Sequence, residues 1–382
     1  MTRFQRASAI AIAATLMSCG VAIAQQSGTQ HKPFDVLAPK NVAIDPNAPP
    51  SVEAVTAMQQ ELAKPRTEPG YKTPRLASGQ PDITGVWSTA SNTTLTRPGQ
   101  FKTLVLSDAE VKAAEAVHPQ NVRQATDDNQ KHEDGLLDGK DLDAGRGYNA
   151  FWIDPGKNYG RVKGSWRTSW IVEPANGQIP FTKEGRDEVA KLRSFGTRGN
   201  GYDHPEERGA GERCISMVGG PPLMNTLYNN NVQIAQSPTA VVIVSEMVHD
   251  ARIVKLNSKH GPKTLNKYMG DAIGWFEGDT LVVETININR SGSNPIQLSE
   301  NAKVIERFTR YNDKQVLYEF EIHDPVFYKQ PWKGEMSLNQ SPGIYEYACH
   351  EGNYGLLNIL LGGRIADREG RDPSEHGDRE EE

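Results

Sequence analysis

Cysteine is rare in this sequence, and long hydrophobic runs are missing from all but its first residues. Three of the 382 residues are Cys and 37% are hydrophobic, and the mean hydropathy is −0.60. After residue 24, no segment approaches the ~20 uninterrupted apolar residues of a transmembrane helix. The composition therefore predicts a water-soluble protein with long polar connections and no transmembrane segment.

Common catalytic and cofactor motifs are also missing. The sequence has no G-x-S-x-G elbow, no Walker loop, no G-x-G-x-x-G turn and no C-x-x-C-H haem attachment. Serine-hydrolase, nucleotide-dependent and haem functions therefore lose their usual sequence support. No cofactor is predicted from the sequence.

Histidines are present, but not in metal-binding patterns. No H-x-H, H-E-x-x-H or H-x-x-E-H motif occurs, so we predict no metal site. A divalent metal held by histidines that are distant in sequence stays open as the alternative. The histidines of the predicted β region are His204, His249, His260, His323 and His350.

The first 24 residues resemble a secretory signal. A basic start with Arg3 and Arg6 precedes an apolar run, and Ala22–Ala24 forms an A-x-A cleavage site. The mature chain is therefore expected to be periplasmic or secreted. The rival interpretation is a lipoprotein whose imperfect box ends at Cys19.

The charge balance is acidic. The chain has 42 Lys and Arg against 48 Asp and Glu, a net charge of −6. The predicted signal contains two Arg and no acidic residue, so its removal shifts the net charge to −8. Because nucleic-acid binding requires a basic face, we predict a small-molecule partner and no nucleic acid. The sequence defines no oligomeric state.

Two cysteines remain once the signal is removed. Cys214 and Cys349 would meet in an oxidising compartment, where two leftover thiols usually form a bridge. Closing so long a loop stabilises the fold by roughly 4 to 5 kcal/mol in the chain-entropy treatment. We therefore predict a Cys214–Cys349 disulfide rather than a nucleophilic Cys349.

Composition divides the mature chain into three parts. Residues 25–80 are rich in Pro, Gln and Lys and predict an extended arm with one helix that begins after Ser51. Residues 81–363 contain strand patterns separated by turns, with a few helical segments. Residues 364–382 are acidic and almost free of apolar side chains, which predicts a disordered tail.

The middle part predicts a mostly β fold. Hairpins turn at residues 277–279 and 312–313, and "GIYEYAC" is expected to be the last strand. Sequential hairpins without alternating helices favour an antiparallel meander closed into a lipocalin-like barrel or a sandwich, with a few peripheral helices.

Several blocks resemble a known group of proteins. In chain order, the blocks include "GQPDITGVW", "YNAFWIDPG", "ERCISMVGGPP", "IGWFEGDTLVVET" and "YEYACHEGN". They are similar to a large, mostly uncharacterised family of secreted bacterial β-rich proteins, over about residues 80 to 362. The resemblance implies secretion and a β-rich fold, and it implies no particular activity. The G-x-W triplet Gly85–Trp87 is also similar to lipocalins, which favours a barrel with an internal pocket.

The first candidate site follows the predicted last strand. His350 is a natural proton-transfer group near neutral pH, and Glu351 could orient it. Asn353 could contact a substrate. In the alternative interpretation, His350 is a packing residue and Asn353 a turn residue.

The second candidate lies in "SEMVHDARIVKL". His249 could transfer a second proton with Glu246 orienting it, and Arg252 could hold an anionic group bidentately. Polar residues at a turn are also often simply solvated. Asn149 and Trp152, in "YNAFWIDPG", are further candidates for substrate contact, although aromatic runs often belong to a core.

These features lead to one function hypothesis with two rivals. We predict a periplasmic acid–base enzyme, a lyase, isomerase or hydrolase that acts on a small glycoside-like, aromatic or terpenoid molecule in a barrel pocket. The first rival is a carrier that binds an apolar ligand without reaction, with its histidines outside the pocket. The second is an envelope scaffold without a sizeable pocket.

Overall fold

The largest feature of the fold is a ten-stranded sheet that closes on itself. The computed structural model describes residues 45–122, 155–195, 201–289 and 296–371. The strands are β1 (Gly85–Ser88), β2 (Val105–Leu106), β3 (Arg161–Val162), β4 (Ser165–Arg167), β5 (Ile171–Glu173), β6 (Asn231–Gln236), β7 (Ala240–Ser245), β8 (Ala251–Leu256), β9 (Asp271–Glu277), β10 (Thr280–Ile286), β11 (Lys303–Asn312), β12 (Gln315–His323) and β13 (Trp332–Gln340). The α-helices are α1 (Val52–Leu62), α2 (Asp108–Val117), α3 (Lys183–Phe195) and α4 (Tyr354–Glu369).

Nine strands form a closed barrel. Strands β6 to β13 pair in chain order, and β1 closes the ring by pairing with both β6 and β13. β5 adds to β13 outside the ring, and β2, β4 and β3 form a separate small sheet. The barrel confirms the predicted mostly β fold with peripheral helices. In the described residues, no helix combines the length and apolar character that crossing a membrane requires.

One strand pair departs from the predicted antiparallel meander. β8 and β9 run parallel, whereas the other barrel pairs are antiparallel. Parallel neighbours need a connection that carries the chain back along the sheet, and residues 257–270 provide it. Strand patterns alone do not reveal this, because both arrangements suit the same alternation of side chains.

The barrel interior is a packed core. Along β12 the side chains of Val316, Tyr318, Phe320 and Ile322 alternate inward and are buried. Gly334 pairs with Phe320 across β12 and β13, and a Cβ there would lie 2.1 Å from the Phe320 ring. Aromatic side chains therefore fill the space in which the lipocalin likeness predicted a pocket.

A buried ion pair crosses this interior. The guanidinium of Arg252 on β8 donates to both oxygens of Glu306 on β11, at 2.5 and 2.9 Å. The Tyr318 hydroxyl donates to Glu306 at 2.7 Å and accepts from the Leu223 backbone N–H at 2.8 Å. Burial, followed by the charge of Glu306, raises the pKa of Tyr318 well above its usual value. The phenol therefore stays protonated and donates to the carboxylate.

A second buried charge cluster fixes the N-terminal arm. Lys163 and Arg167 both pair with Glu335 of β13, at 2.6 and 3.0 Å, and Arg167 also contacts Glu61 of α1 at 2.9 Å. The predicted helix is thus present, but its buried residues are Ala54 and Glu61. The arm docks through charge rather than through an apolar stripe.

Two predictions about the C-terminal region are wrong. "GIYEYAC" is not a strand, because the ladder ends at Gln340 and the chain then crosses the sheet. The tail predicted from Arg364 begins too early, since α4 continues to Glu369 with Leu360, Gly363 and Ala366 buried. Gly363 packs against Tyr202, and its small size allows this close approach of the helix. Residues 372–382 lie outside the described residues.

We expect Glu306→Gln to lower the free energy of unfolding by about 3–5 kcal/mol, because Arg252 would keep its charge without a buried counter-ion. The double variant Arg252→Met/Glu306→Leu should be much closer to wild type, since neither charge remains. Urea unfolding measures both. As a control, Arg66→Gln breaks an exposed 2.7 Å pair with Glu319 and should cost less than about 1 kcal/mol. Equal costs for Glu306→Gln and Arg66→Gln would contradict this account.

Candidate active site

The structure brings the two predicted histidines into one cleft. His249 and His350 line a cavity of about 500 Å³ on the outer face of β6 and β7, beside Gln233 and Val244. Its other wall is residues 341–353, here called the crossing segment, which runs from β13 to α4. The cleft lies outside the barrel, so the expected location inside the barrel is wrong.

A disulfide pins the crossing segment. Cys349 is bonded to Cys214, with the two Cα atoms 5.7 Å apart, which confirms the predicted bridge. Tyr347 adds an apolar contact against a small cluster formed by Met247, Val248 and Val218. The wall that carries His350 is therefore held covalently and by packing.

Glu246 joins the two walls. Its buried carboxylate accepts hydrogen bonds from Asn229 at 2.7 Å, Asn231 at 2.9 Å and the Tyr345 backbone N–H at 3.0 Å. These three donors occupy it, and no hydrogen bond joins it to the His249 ring among the described residues. The predicted role of orienting His249 is therefore wrong, and Glu246 instead replaces the ladder partner that the crossing segment lacks.

His249 sits on an unusual stretch of backbone. Val248 and His249 have φ values of 56° and 46°, in the left-handed region that β-branched residues rarely adopt. Such conformations cost of order 1–3 kcal/mol and persist only when the surroundings impose them. Here the buried Asp250 imposes the turn by accepting from the backbone N–H groups of Met217 and Gly219, at 2.8 and 2.9 Å.

A backbone carbonyl defines the tautomer of His249. Nδ1 lies 3.2 Å from the Tyr347 carbonyl oxygen. A carbonyl oxygen only accepts, so Nδ1 carries the proton and a neutral ring has its lone pair on Nε2. His249 can therefore accept a proton from a group bound in the cleft.

The rings of His350 and His249 lie next to each other in the cleft. The ring centroids are 6.2 Å apart, close enough for one small bound molecule to reach both. Glu351 also lines the cleft and is exposed. Within the described part of the chain, His350 and Glu351 form no hydrogen bond with each other, so the predicted orienting role of Glu351 is not what the geometry provides.

Burial changes the pKa of one carboxyl beside the cleft, that of Asp250. Desolvation raises the pKa of Asp250, while hydrogen bonds from Met217, Gly219 and Val218 and the nearby His249 partly oppose the rise. A Cβ at residue 219 would lie 2.3 Å from the Asp250 Cβ, so only glycine permits this close approach. Asp250 therefore shapes the turn that presents His249.

Two predicted substrate contacts have structural roles instead. Arg252 points into the barrel, 1% exposed and paired with Glu306, so it does not reach the cleft. Asn353 caps α4 by accepting from the Leu356 backbone N–H, and it donates to the Glu212 carbonyl oxygen at 2.7 Å. Asn149 and Trp152 lie outside the described residues.

The sequence did not predict a second cluster, in which His260 contacts two carboxylates. His260 lies between Asp271 and Glu284, with each ring nitrogen 3.1 Å from a carboxylate oxygen. Burial raises the pKa of Asp271, but hydrogen bonds from the Gly261 backbone, Lys255 and His260 outweigh it and lower the pKa to about 2. Both nitrogens of His260 are occupied, so this cluster secures the connection between β8 and β9. The parallel pairing that assembles it has no local sequence signal.

Neither the search for metal ligands nor the comparison with known proteins assigns a function to the cleft. Across residues 45–122, 155–195, 201–289 and 296–371, no group of three or more His, Cys, Asp or Glu side chains is arranged to hold a metal ion. Comparison of the chain with protein-family models, curated proteins and solved structures gave no match. The resemblance to secreted bacterial proteins therefore stays a prediction.

The double variant Cys214→Ser/Cys349→Ser should unfold with a free energy up to about 5 kcal/mol lower than wild type, because the open chain gains loop entropy. Urea unfolding with and without reductant measures this change. Wild type in reductant should match the double variant, which itself should not respond to reductant. Equal stabilities of oxidised and reduced wild type would contradict the assigned role of the bridge.

Asp271→Asn should lower stability at pH 7 by about 1–2 kcal/mol, since one pKa unit corresponds to about 1.4 kcal/mol and solvent screening reduces the full value. The folded pKa of about 2 lies below the ordinary 3.8, so the contribution is present above pH 3.8 and is lost as pH falls through 2. Urea unfolding at pH 7 and at pH 2 should show that the stabilities of the variant and wild type converge in acid. Asp279→Asn, in an exposed pair with Arg75, is the control and should change stability little at either pH. A difference that does not shrink in acid would contradict the linkage.

Proposed function

We propose that this protein is a periplasmic or secreted acid–base enzyme that works without a cofactor. It acts as a lyase, isomerase or hydrolase on a small glycoside-like, aromatic or terpenoid molecule bound in the cleft. The observation that carries the proposal is the placement of His249 and His350 on opposite walls of one cavity.

His249 is the general base. Its Nε2 holds the lone pair because Nδ1 donates to the Tyr347 carbonyl oxygen. His350, from the other wall, is the general acid that returns a proton to the leaving group or to a neighbouring atom of the same molecule. One proton enters His249 and one leaves His350, so isomerisation or elimination needs no other reactant, and hydrolysis needs only water.

The backbone strain and the fixed walls support a catalytic role. Val248 and His249 both have left-handed φ values. Strained backbone of this kind is found more often at functional sites than elsewhere in proteins. The Cys214–Cys349 bridge holds His350 on the opposite wall, and proton transfer depends on such fixed geometry. The bridge also favours an extracytoplasmic location, where disulfides persist.

The rival functions have weaker support. A carrier of an apolar ligand was expected to keep its histidines outside the pocket, whereas here they line it. The barrel interior holds aromatic side chains and the Arg252–Glu306 pair rather than an apolar cavity. A scaffold without a sizeable pocket fits poorly with a cleft of about 500 Å³.

Screening the mature protein against small glycosides, aromatic compounds and terpenoids, with mass-spectrometric detection of products, should yield a substrate. His249→Gln and His350→Gln should each then reduce kcat about 10²- to 10⁴-fold, the usual worth of a positioned acid or base. His204→Gln, an exposed histidine outside the cleft, is the matched control and should leave kcat unchanged. Full turnover in both folded cleft variants would refute the proposal.

A further inference from the structure

The cleft carries negative charge without a matching cation. Three carboxylates line it, those of Glu246, Glu346 and Glu351. The described residues that line the cleft include no Lys and no Arg. The other polar side chains in its walls are one amide, hydroxyl groups and the two imidazoles, so the carboxylates dominate and the net field of the cleft is negative.

The hydrogen-bond donors to the two buried carboxylates near the cleft are neutral groups. Glu246 accepts only from two asparagine amides and one backbone N–H. Asp250, behind His249, accepts from backbone N–H groups. The guanidinium of Arg252 interacts with the charge of Asp250, but its hydrogen bonds go to Glu306 in the barrel interior. Hydrogen bonds from neutral donors stabilise the carboxylate of Glu246 without cancelling its charge, so its negative potential reaches the cleft.

An aromatic surface accompanies this charge. Tyr345 lines the cleft and is 74% exposed, so its ring contributes little to the folded core. The face of a tyrosine ring attracts cations placed within about 6 Å. Carboxylates beside an exposed ring therefore suit a ligand that combines a positive charge with an apolar body.

We propose that the cleft selects cationic molecules, namely small ring compounds that bear a protonated amine. That these molecules are substrates rests on the function proposed above. Their binding in the cleft does not. The ammonium group lies among Glu346, Glu351 and the Tyr345 face, and the ring extends toward His249 and His350. Carboxylate-bearing molecules of the same size are repelled.

Three isosteric probes test this selection, namely benzylammonium, benzyl alcohol and benzoate. Ligand-observed NMR titration of the full-length wild-type protein measures their affinities into the millimolar range. Benzylammonium should bind most tightly and benzoate least. Because exposed charges are screened by salt, benzylammonium should bind more weakly as NaCl rises from 20 to about 500 mM. Benzyl alcohol should be insensitive to salt.

Charge-reversal variants locate the effect. Glu346→Lys and Glu351→Lys should each weaken benzylammonium binding roughly fivefold, the scale of an exposed charge pair lost and replaced by repulsion. Both positions are exposed, so the fold should be retained, which thermal melting checks. Glu300→Lys changes the net charge equally at an exposed residue outside the cleft and should leave binding unchanged.

The proposal is overturned if benzoate binds as well as benzylammonium, if benzylammonium does not bind at 10 mM, or if Glu300→Lys weakens binding as much as Glu351→Lys. His249→Gln and His350→Gln should still bind benzylammonium, because the charge that attracts it lies elsewhere. Cation binding that persists in histidine variants with unchanged turnover would therefore refute the acid–base function and leave this selectivity standing.

Discussion

The candidate site depends on how the crossing segment is held. The Ser341 N–H still donates to Val86 on β1, but beyond it the chain leaves the barrel ladder, so the following backbone groups need other partners. The Cys349–Cys214 bridge fixes one end covalently, and Glu246 accepts the Tyr345 N–H in the middle. Without these two constraints His350 would belong to a loose connection, and the cleft would have only one wall.

The charges of the interior explain why the cleft lies outside the barrel. The Arg252–Glu306 pair is desolvated and satisfied by bidentate contact, by Tyr318 and by the Leu223 backbone. Breaking such an arrangement to admit a ligand would expose an unpaired charge to an apolar core, which costs several kcal/mol. The interior therefore stabilises the fold and has no room for a ligand. A cavity forms instead on the outer face of β6 and β7, where the crossing segment supplies the second wall.

The sequence predicted what local patterns control. Alternation and turn residues located most strands, and two leftover cysteines predicted the disulfide that the structure confirms. Residues whose roles depend on distant partners were misassigned. Arg252 has its counter-ion 54 positions away, and Glu246 has one donor in the crossing segment, so both looked free to serve a ligand. The pairing of His260 with Asp271 and Glu284 depends on the parallel strands, which no short pattern specifies.

The contact between His249 and the Tyr347 carbonyl couples the shape of the cleft to its chemistry. His249 acquires its tautomer from the opposite wall, so Nε2 is the available acceptor only while the crossing segment is in place. A displaced wall would move His350 away and at the same time release the Nδ1 proton of His249 to exchange between the two nitrogens. Stabilising the wall with a disulfide and a buried carboxylate therefore positions both imidazoles at once. Neither imidazole needs a carboxylate partner of its own for this arrangement.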